Sequence, residues 1–330
     1  MTQESCVDHP SKRGCCAARS LDFFVLPNPR WSGQMSEVSR RFARSFIGLV
    51  WRLAIYFAVL IAAVRLLSMG YGRAMHGLGV HFAHSPAVRP AEAVGLGQVR
   101  LLLAALLAWF ITARLGRDTL GPILPLRGKA AAHLLQGVLW GLAEIAATLG
   151  AIACFGGYRV SGIALSGAAL AYYLPLWLAV AVVNGLAENL ALMGYPLFRL
   201  ARDTGWVAAS LLVGLLFAAA HLGNPGENLL GIASVFLIGV LFATAIWLTG
   251  DLWLSVGMHA GAVLAEDFIF SVPDSGAVYT GHLLVSQLTG PAWLSGGNAG
   301  PEGSLLALPV FAVMLVLVWI VYRRRPACPM

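Results

Sequence analysis

Charge is what this chain has least of. Asp, Glu, Lys and Arg make up 11% of its 330 residues and hydrophobic residues 58%, whereas a soluble domain carries about 25% charged residues. That shortage excludes an ordinary soluble domain. Cysteines are few and unpatterned: Cys6, Cys15, Cys16, Cys154 and Cys328 are odd in number and lack zinc-site spacing, which argues against a disulfide framework or a Cys-rich metal centre. No N-terminal stretch combines an apolar core with a small-residue cleavage site, so no signal peptide is read. No internal repeat suggests the paired halves of a transporter. The net charge of +7 does not form a patch: the basic residues sit at the ends of apolar runs, a membrane-topology pattern rather than a nucleic-acid surface.

What the chain has instead is long apolar runs. A membrane-crossing helix needs about 20 apolar residues. The runs place spans near 46–68, 97–115, 131–156, 166–194, 207–222, 228–249, 251–271 and 304–322. This predicts an all-α, polytopic membrane helix bundle of about eight transmembrane helices. Residues 1–45 read as a disordered cytoplasmic tail, 46–323 as the transmembrane domain and 324–330 as a short cytoplasmic tail. Residues 1–34, ahead of Met35, read as a disordered extension or a consequence of start-site choice. The N-terminal tail, the Arg114/Arg117/Arg127/Lys129 loop, Arg199/Arg202 and Arg323–Arg325 fall on one side, which predicts both termini in the cytoplasm. The 272–303 connection, rich in Gly, Pro, Ser and Trp, is expected to be an ordered lid or re-entrant segment.

Against that apolar background the buried polar residues stand out. Glu188 lies in AVAVVNGLAENLALMGYPLFRL, where a carboxylate costs roughly 2.5–3.5 kcal/mol on insertion scales. Asn184 lies one turn before it on the same face, and Asn189 follows directly. His221 closes the fifth span and His259 lies in the seventh. An acid and two histidines on neighbouring helices predict one buried site, although each histidine alone also fits an interfacial or hydrogen-bonded role. Glu144 reads as a structural partner for a buried polar group, Glu266 and Asp267 as interfacial or reaching back into the site, and Arg52 and Arg65 as snorkelling. His76, His81 and His84 offer a remote chance of a metal site.

Four ordered blocks resemble the CPBP group of intramembrane proteases, which includes CAAX prenyl proteases and bacteriocin-processing (Abi-like) relatives. They are AENLALMGYPLFRL, FAAAH with Phe217 and His221 followed by Asn224–Pro225, TGDLWLSVGMHA approaching His259, and GPAWLSGGNAGPEGS before the last span. The resemblance covers 179–305, within a core at about 166–305. It implies an intramembrane endopeptidase acting on a peptide or membrane-anchored protein, with Glu188 as general base, His221 as its partner on the water and His259 facing the oxyanion. Asn184, Asn189, Phe217, Asn224 and Glu266 are then substrate-binding or compensating candidates. No cofactor is favoured. Zinc on Glu188, His221 and His259 is the alternative, since two histidines and a carboxylate form a catalytic zinc set. The departures are Asn189 for the second Glu of the motif, Met193 for its Arg and Val263 for the Asn or Asp after the second His. A catalytically impaired scaffold or peptide-immunity protein on the same fold is therefore the competing reading, and a transporter using Glu144 and Glu188 the third. The partners implied are membrane lipid and peptide, without nucleic acid, and the expected location is the bacterial inner membrane.

Overall fold

The computed structural model describes residues 32–78, 88–116 and 128–323, with side chains from residue 47 onward. His81, His84, Cys6, Cys15, Cys16, Cys328 and residues 1–31 lie outside the described residues, while Cys154 is an exposed free thiol. The chain divides into two compact units, 1–45 and 46–330. Helix α1 runs Ser32–Gly77, so residues 32–45, expected to be irregular, are helical. The segment SEVSRRFARSF contains neither Gly nor Pro and continues the register of the apolar run that follows. Everything below concerns the second unit.

That unit is an all-α membrane bundle. After α1 come α2 (Ala91–Gly116), α3 (Ala130–Cys154), α4 (Gly167–Glu188), α5 (Tyr195–Thr204), α6 (Trp206–His221), α7 (Leu229–Thr249), α8 (Trp253–Val263), the short α9 (Ala292–Ser295) and α10 (Ala307–Tyr322). By length and composition, Ile47–Gly77, α2, α3, the continuous stretch Gly167–Thr204 and α7 can each cross a membrane; α6 and α10 are shorter apolar helices. Leu103, Phe110, Leu139, Leu215, Val316 and Ile320 are exposed on these helices, as a lipid-facing surface requires. The fourth span does not stop at 194 as expected. It passes through a π-helical turn at Asn189–Gly194 and continues to Thr204.

Helix contact in lipid depends on close backbone approach, because apolar side chains gain little by leaving hydrocarbon. Here α3 carries Gly137 and Gly141 and α8 carries Gly257 and Gly261, a Gly-x-x-x-Gly pair on each helix. A Cβ on any of the four would overlap the backbone of the other helix. On the other side of α8, a Cβ on Gly185 of α4 would come within 2.6 Å of the Val256 carbonyl oxygen. So α8 is gripped between α3 and α4, and His259 sits inside that grip.

One end of the bundle is capped by the connections. Strand β2 (Tyr158–Ile163) pairs antiparallel with β4 (Leu284–Leu288), with a bulge between Val160 and Gly162. Strand β1 (Val88–Arg89) pairs parallel with β3 (Val278–Tyr279). The 272–303 segment is thus ordered, with two strands, α9 and a 3₁₀ turn at Pro301–Gly303. Asn228 ties it down: its Oδ1 accepts from Gly231 N at 2.9 Å at the start of α7, and its Nδ2 donates to Gly296 O at 3.1 Å. Arg52, expected to snorkel, donates instead to the Gly116 carbonyl at the end of α2, 3.0 Å away.

Candidate active site

Glu188 ends α4, where the backbone switches from α to π geometry. Such a turn widens the helix and frees carbonyls from their usual i→i+4 partners. Tyr56 of α1, fully buried, answers that demand by donating its hydroxyl to Ala191 O at 2.9 Å and stacking on Tyr195 with ring centroids 5.4 Å apart. The turn therefore rests on a side chain from another helix, and it sets where Glu188 and Asn189 point.

Glu188 faces a cavity of about 980 Å³. Gln98 Nε2 of α2 donates to its Oε1 at 3.2 Å, and its Oε2 lies 3.8 Å from His259 Nε2. The second distance exceeds a direct hydrogen bond but keeps the two groups in electrostatic contact. His259 is held on three sides. Its ring stacks on Phe242 at 5.4 Å and meets the edge of Phe217 at 6.2 Å. Its Nδ1 lies 3.3 Å from Asn189 Nδ2, which also donates to Gly185 O at 2.8 Å. The Gly185 carbonyl fixes the amide orientation, since a flipped Asn189 would set two oxygens together. Nδ1 must then accept, so the ring proton belongs on Nε2, facing Glu188.

His221, at the end of α6, uses Nδ1–H to donate to its own-helix Phe217 carbonyl at 2.8 Å. Its Nε2 is left with a lone pair, and the residue lines the cavity with Glu188. The structure thus brings Glu188, Asn184, His221 and Asn224 to one cavity wall, with His259, Asn189 and Phe217 directly behind.

Other candidates lie elsewhere. Glu266 and Asp267 belong to a second π-helical turn, Leu264–Phe270; both are buried rather than interfacial, and neither lines the cavity. Glu144 is buried on α3 and also absent from the wall. Met193 and Val263, which replace the motif's Arg and Asn or Asp, are packed in apolar clusters. Among the described residues, no three His, Cys, Asp or Glu side chains converge closely enough to hold a metal ion. His76, Arg89 and Arg100 also line the cavity.

Residues missed from the sequence also shape the site. Gln98 lies at the start of an expected span, and a polar side chain in an otherwise apolar run is the signal that marks it. Arg100 lines the cavity with its guanidinium 4.3 Å over the Tyr71 ring and a buried Nη1 that has no hydrogen-bond partner. Asp274 lies on the wall from the 272–303 segment, where Asp-Ser-Gly reads as an ordinary turn.

Residues 170–265 match a family model described as Type II CAAX prenyl endopeptidase Rce1-like. No curated protein and no solved structure matches the chain.

Proposed function

We propose that this chain, whose residues 170–265 match the Rce1-like endopeptidase family, is an intramembrane endopeptidase that hydrolyses a peptide bond near the membrane with a water activated by Glu188 and His221. The observation that carries this reading is a carboxylate and an imidazole nitrogen with an open lone pair on the wall of one cavity, with a second imidazole N–H behind them. Glu188, steadied by Gln98, takes the proton of the attacking water, and His221 Nε2 orients that water. His259 Nε2–H is the donor available to the developing oxyanion. The proposed mechanism uses only these side chains and routes no step through a metal. Metal analysis of wild type against His221→Ala checks this, with no stoichiometric zinc expected in either.

The basic residues of the cavity suit the end of such a substrate. Arg100 presents a buried guanidinium nitrogen that has no hydrogen-bond partner among the described residues, and Arg89 lines the same cavity, so the cavity favours a peptide carrying a carboxylate. Substrate and lipid meet here in what we read as a bacterial inner-membrane protein with both termini cytoplasmic.

A scaffold with dead chemistry is the second reading. It is favoured by Val263, whose apolar side chain stands where a second oxyanion donor is expected and lies packed in the core. Losing one such donor costs about 10²–10³ in rate, which weakens an enzyme without abolishing it. Cleavage of a membrane-anchored peptide library by detergent-purified protein separates the two. Wild type is expected to cut and Glu188→Gln not to, with both eluting as the same folded species. Equal behaviour of the two proteins would favour the scaffold.

A further inference from the structure

The second acid of the family's motif is missing, since Asn189 occupies its place and is spent on His259. A carboxylate reaches the cavity from another direction. Asp274 and Ala277 exchange both backbone hydrogen bonds at 2.9 Å, closing a two-residue turn over Ser275 and Gly276. Both turn residues have positive φ, 48° and 85°, as a type I′ turn requires, although Ser275 is not a glycine. The strain is held from two sides. Glu302 Oε1 accepts from Ser275 N at 2.7 Å, and Gly276 N donates to Ala299 O at 3.2 Å. On the other side the backbones of Gly276 and Gly226 meet so closely that a Cβ on either would overlap the other. Gly226 belongs to the loop that follows His221, so the turn is locked to the histidine's own connection. A strained turn over-determined by its surroundings is a feature of functional sites.

We propose that Asp274 is a catalytic acid of this site, protonating the amine that leaves when the peptide bond breaks. The assignment rests on the hydrolase reading above. Glu188 removes one proton from water as its oxygen bonds to the carbonyl carbon. The tetrahedral intermediate then collapses, its C–N bond breaks, and Asp274 gives the nitrogen the proton it needs to depart as an amine. Asp274 is left as a carboxylate and Glu188 as the acid; the proton taken from water returns through the cavity to Asp274, and the net reaction is peptide plus water to acid plus amine. The environment fits this role. Burial raises the Asp274 pKa, and the Glu188 charge raises it further, while His259 and His221 pull the other way. Two carboxylates line one cavity, one of them with a pKa raised by burial, and base and acid roles divide between such a pair.

The test uses full-length protein in detergent–lipid micelles with two probes: a farnesylated peptide ending in a free carboxylate, and its analogue with a thioester at the scissile bond. A thiolate leaves without a proton. Asp274→Asn is expected to lower kcat on the amide by about 10²-fold or more, while the thioester rate stays within about threefold of wild type. Equal loss on both probes, or no loss on either, overturns the role of Asp274 while leaving the hydrolase reading intact. Wild type cutting no better than Glu188→Gln overturns both. Should Asp274→Asn fail to fold, Asp274→Glu carries the test: the alkaline limb of its kcat–pH profile moves while the acid limb stays. An unmoved alkaline limb then overturns the proposal.

Discussion

Asn189 shows how much a single replaced residue can still contribute. In place of a carboxylate it offers an amide whose two hydrogens serve Gly185 O and His259 Nδ1. The amide holds the imidazole and fixes its tautomer without adding charge. Asn189→Ala should therefore lower kcat by about three- to tenfold, the worth of roughly 0.5–1.5 kcal/mol of hydrogen bonding, and leave KM nearly unchanged. Kinetics on a cleaved reporter check it. An unchanged kcat would mean the aromatic clamp of Phe217 and Phe242 is enough. Arg100 lines the same cavity. Arg100→Met is expected to raise KM about tenfold or more on a peptide with a free carboxylate, the value of a charge-assisted bond, and to do little on the same peptide with an amidated C-terminus. A similar rise on both would assign Arg100 to packing against Tyr71. Neither Gln98 nor Asp274 could be ranked from the sequence, because a lone polar residue in a helix or turn has many uses. Only its neighbours choose among them.

Among the helices, α8 matters most. It carries His259 between two glycines four residues apart, each facing α3 across a gap with no space for a methyl group. Gly257→Leu is expected to force α3 and α8 apart and to cost about 1–3 kcal/mol or more, with loss of folded protein in detergent. The exposed-face control Gly150→Ala meets nothing within 4 Å and should gain up to about 1 kcal/mol from helix propensity. Gly185→Val is more informative, because it separates α4 from α8 at the level of the site. It should reduce activity before it reduces yield. The Gly-x-x-x-Gly spacing was present in the sequence. What it lacked was the partner: the spacing says that a helix can be approached closely, not which helix will come.

Across the whole molecule, the cap on the bundle stores acidic groups. Glu227, Asp274 and Glu302 lie outside the spans, and burial raises the pKa of each. Glu302 also feels the charge of Asp274, against which its hydrogen bond from Ser275 N pulls. In the unfolded chain such groups ionise near the ordinary carboxylate value of about 4. The folded state keeps protons that the unfolded state has already released. Their contribution to stability is therefore complete below the ordinary range and declines as pH rises through it towards the raised folded values. The melting temperature in detergent should be higher near about pH 5 than near about pH 8. Glu302→Gln, which keeps the acceptor for Ser275 N and removes the titration, should narrow that difference. An unaltered difference would place the dependence on other groups.

The sequence by itself determined the solvent and marked the candidate site. Apolar runs can satisfy their backbone in lipid only as helices, so composition and run length decide an all-α membrane bundle. A carboxylate in such a run is costly enough to mark a candidate site, and the ordered blocks around Glu188, His221 and His259 carry a family resemblance that the match at residues 170–265 supports. The tertiary structure decided what depends on neighbours. It showed that Tyr56 supports the π turn behind Glu188 and that Asn189 holds His259. It also placed Glu266 in the packed interior and brought Asp274 from a turn more than eighty residues away in the chain to the same cavity. Those contacts join residues far apart in sequence, where spacing carries no signal. The close approach of α3, α4 and α8 fixes them only when the bundle is assembled.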